Sequence, residues 1–94
     1  MSIPYDVSRA IIQRERADKM RALTVETCMG NVFQADEDSQ NRMARVLLAR
    51  DEERPDGEVD WILADDSVAT VTLLELEEAL RLAVEAQQAI WIID

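Results

Sequence analysis

Ninety-four residues carry twenty acidic side chains against ten basic ones and no histidine, a formal charge of −10. Apolar residues make up 48% and charged residues 32%, a balance that excludes an intrinsically disordered chain and predicts one globular domain over residues 1–94. The longest apolar run, Ala89 to Ile93, is far shorter than a membrane span, and the single cysteine excludes an internal disulfide.

Residues 6–23 read as a first helix. Pro4 suits its entry, and Val7, Ala10, Ile11 and Arg14 share a face. Beyond Ile12 the stretch Q-R-E-R-A-D-K-M-R is helix-prone but polar, with only Ala17, Met20 and Leu23 to bury. Such a helix is held loosely by its own body or held by another chain. The charge divides at the same place. Residues 1–24 hold five basic and three acidic side chains, a net of +2, and the rest holds five basic and seventeen acidic, a net of −12. An acidic body repels phosphate, which excludes nucleic acid as its partner. Two readings of the acidity stay open: it keeps a small protein soluble, or it forms a surface, its own or a partner's, on which the basic helix with Arg14 and Arg21 docks. The start M-S-I-P-Y-D lacks the basic and apolar regions of a signal peptide, which predicts the cytosol.

T-V-E-T-C-M-G-N-V-F-Q-A predicts a β-hairpin with a two-residue turn at Gly30-Asn31, Phe33 and Ala35 on one face and Val32 and Gln34 on the other. Cys28 reads as a small buried hydrophobe. Asp36 caps a second helix whose first turn, Glu37 and Asp38, is acidic and whose stripe is Met43, Ala44, Val46 and Leu47, ending near Arg50. Residues 51–60 form a loop, acidic and broken by Pro55 and Gly57. It fails as a calcium loop. With Gly57 at the sharp turn, Arg54 and Leu63 fall on ligand positions. Trp61 to Val71 predicts a second hairpin around Ala64-Asp65-Asp66-Ser67, with Trp61 in the core.

Thr72 to Ile93 is the master helix, roughly 33 Å long. Thr72 and Glu75 make a capping box, each side chain reaching a free N–H of the first turn. Leu73, Leu76, Leu80, Ala83 and Ile90 share the buried face, widened by Leu82, Ala86, Ala89 and Ile93. Ile90 to Ile93 with Trp91 puts four large apolar residues in succession, more than one helical face can bury. Ile90, Trp91 and Ile93 are therefore candidate partner-binding residues. The alternative is that residues 89–93 leave the helix as an edge strand. The order helix–hairpin–helix–hairpin–helix predicts an α+β fold: a small four-stranded antiparallel sheet packed against the long C-terminal helix, with residues 1–24 loosely attached to a body of residues 25–94. Phe33, Trp61, Leu76 and Leu80 are its expected core, and Asp36 and Thr72 its helix caps.

Catalysis has little to work with. No histidine serves as base or metal ligand, and two glycines cannot build a phosphate loop. Asp65-Asp66 and Glu77-Glu78 lie in a turn and on a polar helix side, where solvation leaves carboxylates ordinary. No catalytic residue, metal or cofactor is expected.

Three stretches carry a resemblance. They are I-I-Q-R-E-R-A-D-K, then V-F-Q-A-D-E-D-S-Q-N-R, and W-I-L-A-D-D-S-V with V-T-L-L-E-L. In the second, Phe33, Ala35, Asp36, Ser39 and Arg42 follow a pattern F-x-A-D-x-x-S-x-x-R. Over about residues 8–93 the chain resembles a domain of unknown function common in tailed-bacteriophage genomes, found in tail-fibre assembly proteins and others of the tail-fibre region. The resemblance implies a non-enzymatic accessory that binds a tail-fibre or baseplate protein, as assembly chaperone or as a structural part of the tail. Its place would be the cytoplasm of the infected host during assembly, or the virion tail, with a homo-oligomer also allowed. A reading from another class is a small acidic decoy that mimics nucleic-acid charge and inhibits a host protein.

Overall fold

A computed structural model describes residues 14–50 and 57–92. Pro4, Val7, Ala10 and Ile11 of the first expected helix, most of the acidic loop, and Ile93 lie outside those residues. Helix α1 covers residues 14–21. There follow strands β1 (Thr24–Glu26) and β2 (Val32–Gln34), helix α2 (Glu37–Leu48), strands β3 (Glu58–Ile62) and β4 (Val68–Thr72), and helix α3 (Leu73–Ile92). The class is α+β.

The strands form two separate two-stranded antiparallel sheets, β1-β2 and β3-β4, where one four-stranded sheet was expected. Among the described residues a single backbone hydrogen bond crosses between them, from Ala64 N–H to Val32 C=O at 2.9 Å. Three-residue strands explain this. β2 ends at Gln34, where the chain turns into α2, before it can continue a ladder along β3.

Both hairpins close on the same three-residue turn. In the first, Thr27 N–H donates to Asn31 C=O and Gly30 N–H to Thr27 C=O; in the second, Leu63 N–H donates to Ser67 C=O and Asp66 N–H to Leu63 C=O. The third turn residue is left-handed in each case, Gly30 at φ +85° and Asp66 at +68°. This is a type I turn closed by a bulge. The expected two-residue turn at Gly30-Asn31 is thus corrected. It would have set Cys28 opposite Phe33, whereas Val25 is the partner. Register follows the buried face, and the observed one aligns an apolar residue with Phe33 and leaves Cys28 exposed. β3 also begins three residues before Trp61, because Val59 shares that residue's inward face.

Phe33 from β2, Met43 from α2, Leu63 and Val71 from the second hairpin, and Leu76 and Ala79 from α3 make one buried cluster. Burial of a side chain the size of Phe33 or Leu76 contributes about 1.5–3 kcal/mol. Trp61 and Leu80, expected in the core, pack against it while half-buried. The buried line of α3 is Leu76, Ala79 and Ala83, rotated from the expected Leu80. Two alanines there let α2 approach closely. The two helices run antiparallel: Gln87 Nε2 reaches Glu37 Oε1 at 3.5 Å, and Arg50 Nη1 meets Glu77 Oε2 at 3.1 Å. α1 contributes Met20, which is buried.

Both caps differ in detail from the sequence reading. Thr72 Oγ1 accepts from Glu75 N–H at 3.1 Å, but the Glu75 carboxylate turns elsewhere, so the box has one arm. Asp36 holds the N-cap position of α2 without a side-chain bond to the backbone, and its carboxylate accepts from the Ser39 hydroxyl instead.

Candidate functional site

Glu75 is 7% exposed, an unusual place for a carboxylate unless it is paired. Its Oε2 accepts from the Thr27 hydroxyl at 2.7 Å and from Asn31 Nδ2 at 2.8 Å. One turn on, Glu78 accepts from Cys28 N–H at 2.8 Å, with the Cys28 Sγ 3.2 Å from its other oxygen. Helical spacing puts both carboxylates on one face, and that face grips the first hairpin's turn. Cys28 is exposed, contrary to its expected burial. The hydrogen bond to Glu78 and that carboxylate's charge raise its thiol pKa, which makes it a poor nucleophile. In the second turn, Asp65 Oδ1 accepts from Ser67 Oγ and, at 3.0 Å, from Ser67 N–H. Those two bonds lower the Asp65 pKa.

The surface beside these turns is apolar where the sequence did not lead one to look. Ile62 and Val68 are cross-strand partners, and they stand 61% and 67% exposed on the outer side of the second hairpin. Alternation explains it: Val59 and Trp61 turn to the core, so Ile62 turns out. A recess of about 540 Å³ opens between the hairpins, lined by Asn31, Val32, Leu63, Ala64 and Asp65 among others. A second, of about 190 Å³, is lined by Arg42, Asp60, Trp61 and Ile62. Of the five motif residues, Phe33 and Ala35 are buried and Asp36 is bonded to Ser39, while Arg42 is exposed beside Trp61. Scaffold accounts for four of them and leaves Arg42 available for contact.

The expected partner-binding residues that are described fall on two helices, α1 and α3. Arg14 and Arg21 are exposed on α1, and Arg21 sits 3.8 Å from Asp18 in an ion pair too solvated to contribute much. Ile90 is half-buried. α3 continues through Ile92, so residues 89–92 are helix and the edge-strand alternative fails there. Trp91 lies on the last turn of that helix. Ile62, Val68 and Arg42 were missed; the available signal was the alternation V-D-W-I against V-A-T-V, with Ile and Val flanking one turn.

Among the described residues, no group of three or more Cys, Asp or Glu side chains could hold a metal ion, and no helix is long and apolar enough to cross a membrane. A family model described as a domain of unknown function, DUF4376, matches residues 6–92. No curated protein and no solved structure matches the chain.

Proposed function

We propose, for a chain that belongs to the DUF4376 family of domains of unknown function, a non-enzymatic role in binding a tail-fibre or baseplate protein of a tailed phage. It acts as an assembly chaperone or as a structural part of the tail. The phage setting rests on the sequence resemblance, and the binding role on one observation. Ile62 and Val68 lie side by side and exposed on the second hairpin, and Ile62 borders a small recess with Arg42 and the half-buried Trp61. Apolar anchors beside an aromatic residue and an arginine are the composition of binding hot spots. The carboxyl-terminal end, Ile90, Trp91 and Ile93, with Arg14 and Arg21 of the basic helix, forms the second part of the proposed contact.

Co-purification with tail-fibre and baseplate proteins of a tailed phage tests the role. An Ile62→Ser, Val68→Ser double variant is expected to fold normally and lose the partner. Retention of every partner by this variant and by Trp91→Ala removes the proposal. Salt separates it from the decoy reading: an apolar contact persists at about 0.3 M salt, whereas charge mimicry collapses. Mass spectrometry of purified virions then sorts the two versions, since a chaperone leaves and a structural part stays.

A further inference from the structure

The second hairpin leaves one edge ready for pairing. Leu63 N–H donates to Ser67 C=O at 2.8 Å, and Leu73 N–H donates to Gly57 C=O at 2.9 Å. With Trp61–Ala69 and Val59–Val71 opposed between them, every second pair bonds inward. Val68 and Thr70 therefore aim their N–H and C=O groups away from β3, along the outer edge of β4, and Thr72 aims its N–H there, its C=O being taken into the first turn of α3. Among the described residues no backbone group bonds to that edge. Edge strands are ordinarily blunted by lysine, proline or a bulge. β4 has none of these: it reads V-A-T-V-T, uncharged and β-branched everywhere but Ala69.

We infer that β4 pairs antiparallel with β4 of a second copy of this chain, across a two-fold axis at Thr70, to make a four-stranded sheet from two hairpins. The strand is self-complementary in that register. Thr70 meets Thr70 and exchanges two backbone bonds, and Val68 meets the partner's Thr72, whose N–H donates to the Val68 C=O. No charge opposes a like charge along the edge, although each chain carries −10, and a threonine pair is favourable on the outer face. Leu74, 63% exposed, follows Thr72 at the strand end that meets the partner's Val68. The contact is at the edge, so the outer faces with Ile62 remain open and are brought together. The inference is independent of which tail protein those faces bind. A single strand pair is a small interface, so the dimer forms in the micromolar to millimolar range and strengthens with salt, which screens the two acidic bodies.

Sedimentation equilibrium of the purified chain over that range, at low and high salt, tests this. A monomer–dimer equilibrium that shifts to dimer with concentration and salt is expected. The Thr70 N–H serves no bond within the hairpin, so Thr70→Pro keeps the fold and weakens the dimer roughly tenfold to hundredfold. Thr70→Lys, which sets two ammonium groups face to face, also disperses it, and carries the test should the proline variant unfold. In a Cys28→Ser background, Thr70→Cys is expected to give an oxidised covalent dimer, because paired Cα atoms lie about 5.5 Å apart, whereas Thr72→Cys does not. A chain monomeric throughout, or a dimer indifferent to both Thr70→Pro and Thr70→Lys, overturns the inference.

Discussion

Removing the Glu75 carboxylate isolates the grip between α3 and the first hairpin. Glu75→Ala leaves the Thr72 cap in place, because that bond uses the Glu75 backbone N–H. It strips the acceptor from the Thr27 hydroxyl and the Asn31 amide, which sit at 2.7 and 2.8 Å. Hydrogen bonds to a charged group contribute about 1.5–3 kcal/mol each, and stranding a buried donor costs a further fraction. Two effects subtract. The Thr27 hydroxyl keeps a longer contact of 3.4 Å to Asn31 C=O, and losing a buried carboxylate relieves its desolvation. The net expectation is ~2–4 kcal/mol, against a total stability of roughly 5–14 kcal/mol for a chain this long. Glu75→Gln keeps one acceptor oxygen and costs about half as much. Urea unfolding followed by far-ultraviolet circular dichroism measures each, and a cycle with Thr27→Val gives the coupling, expected at ~1–2 kcal/mol. A Glu75→Ala protein within about 0.5 kcal/mol of the parent, with no coupling to Thr27, refutes the reasoning.

Other consequences are as direct. Phe33 is fully buried in the central cluster, so Phe33→Ala costs ~3–5 kcal/mol, and a variant melting within a few degrees of the parent contradicts that placement. The left-handed third residues of the two turns predict opposite signs: Gly30→Ala destabilises by about 1–2 kcal/mol, and Asp66→Gly stabilises by up to about 1 kcal/mol, both read by thermal melting. Cys28, held above its ordinary 9.0 by Glu78, reacts slowly with iodoacetamide at pH 8, and Glu78→Gln speeds the reaction several-fold. Because the folded pKa is the raised one, the thiol's contribution to stability is present below its unfolded pKa and lost as pH rises through the folded value. A Glu78→Gln protein with unchanged alkylation rate shows that the thiol does not face that carboxylate.

The elements themselves were legible in the sequence, since local rules decide them. Alternation around Phe33 and Trp61 predicts strands, Thr72 opens a helix, and the apolar spacing from Leu73 onward sustains it. Gly30 and the Asp65-Asp66 pair marked where the chain must turn. How those elements meet depended on contacts far apart in the chain. Glu75 looked like half of a capping box because sequence spacing carries Thr72 but not Thr27 or Asn31, more than forty residues away. The turn at Gly30 looked like a two-residue one because its register is set by the face that buries Val25 and Phe33. Ile62 and Val68 were not singled out because hydrophobicity does not state which side of a hairpin meets the helix. Only when Trp61, Val71 and Leu76 close one interior are the remaining apolar side chains turned outward, and that packing is what makes a surface available for contact.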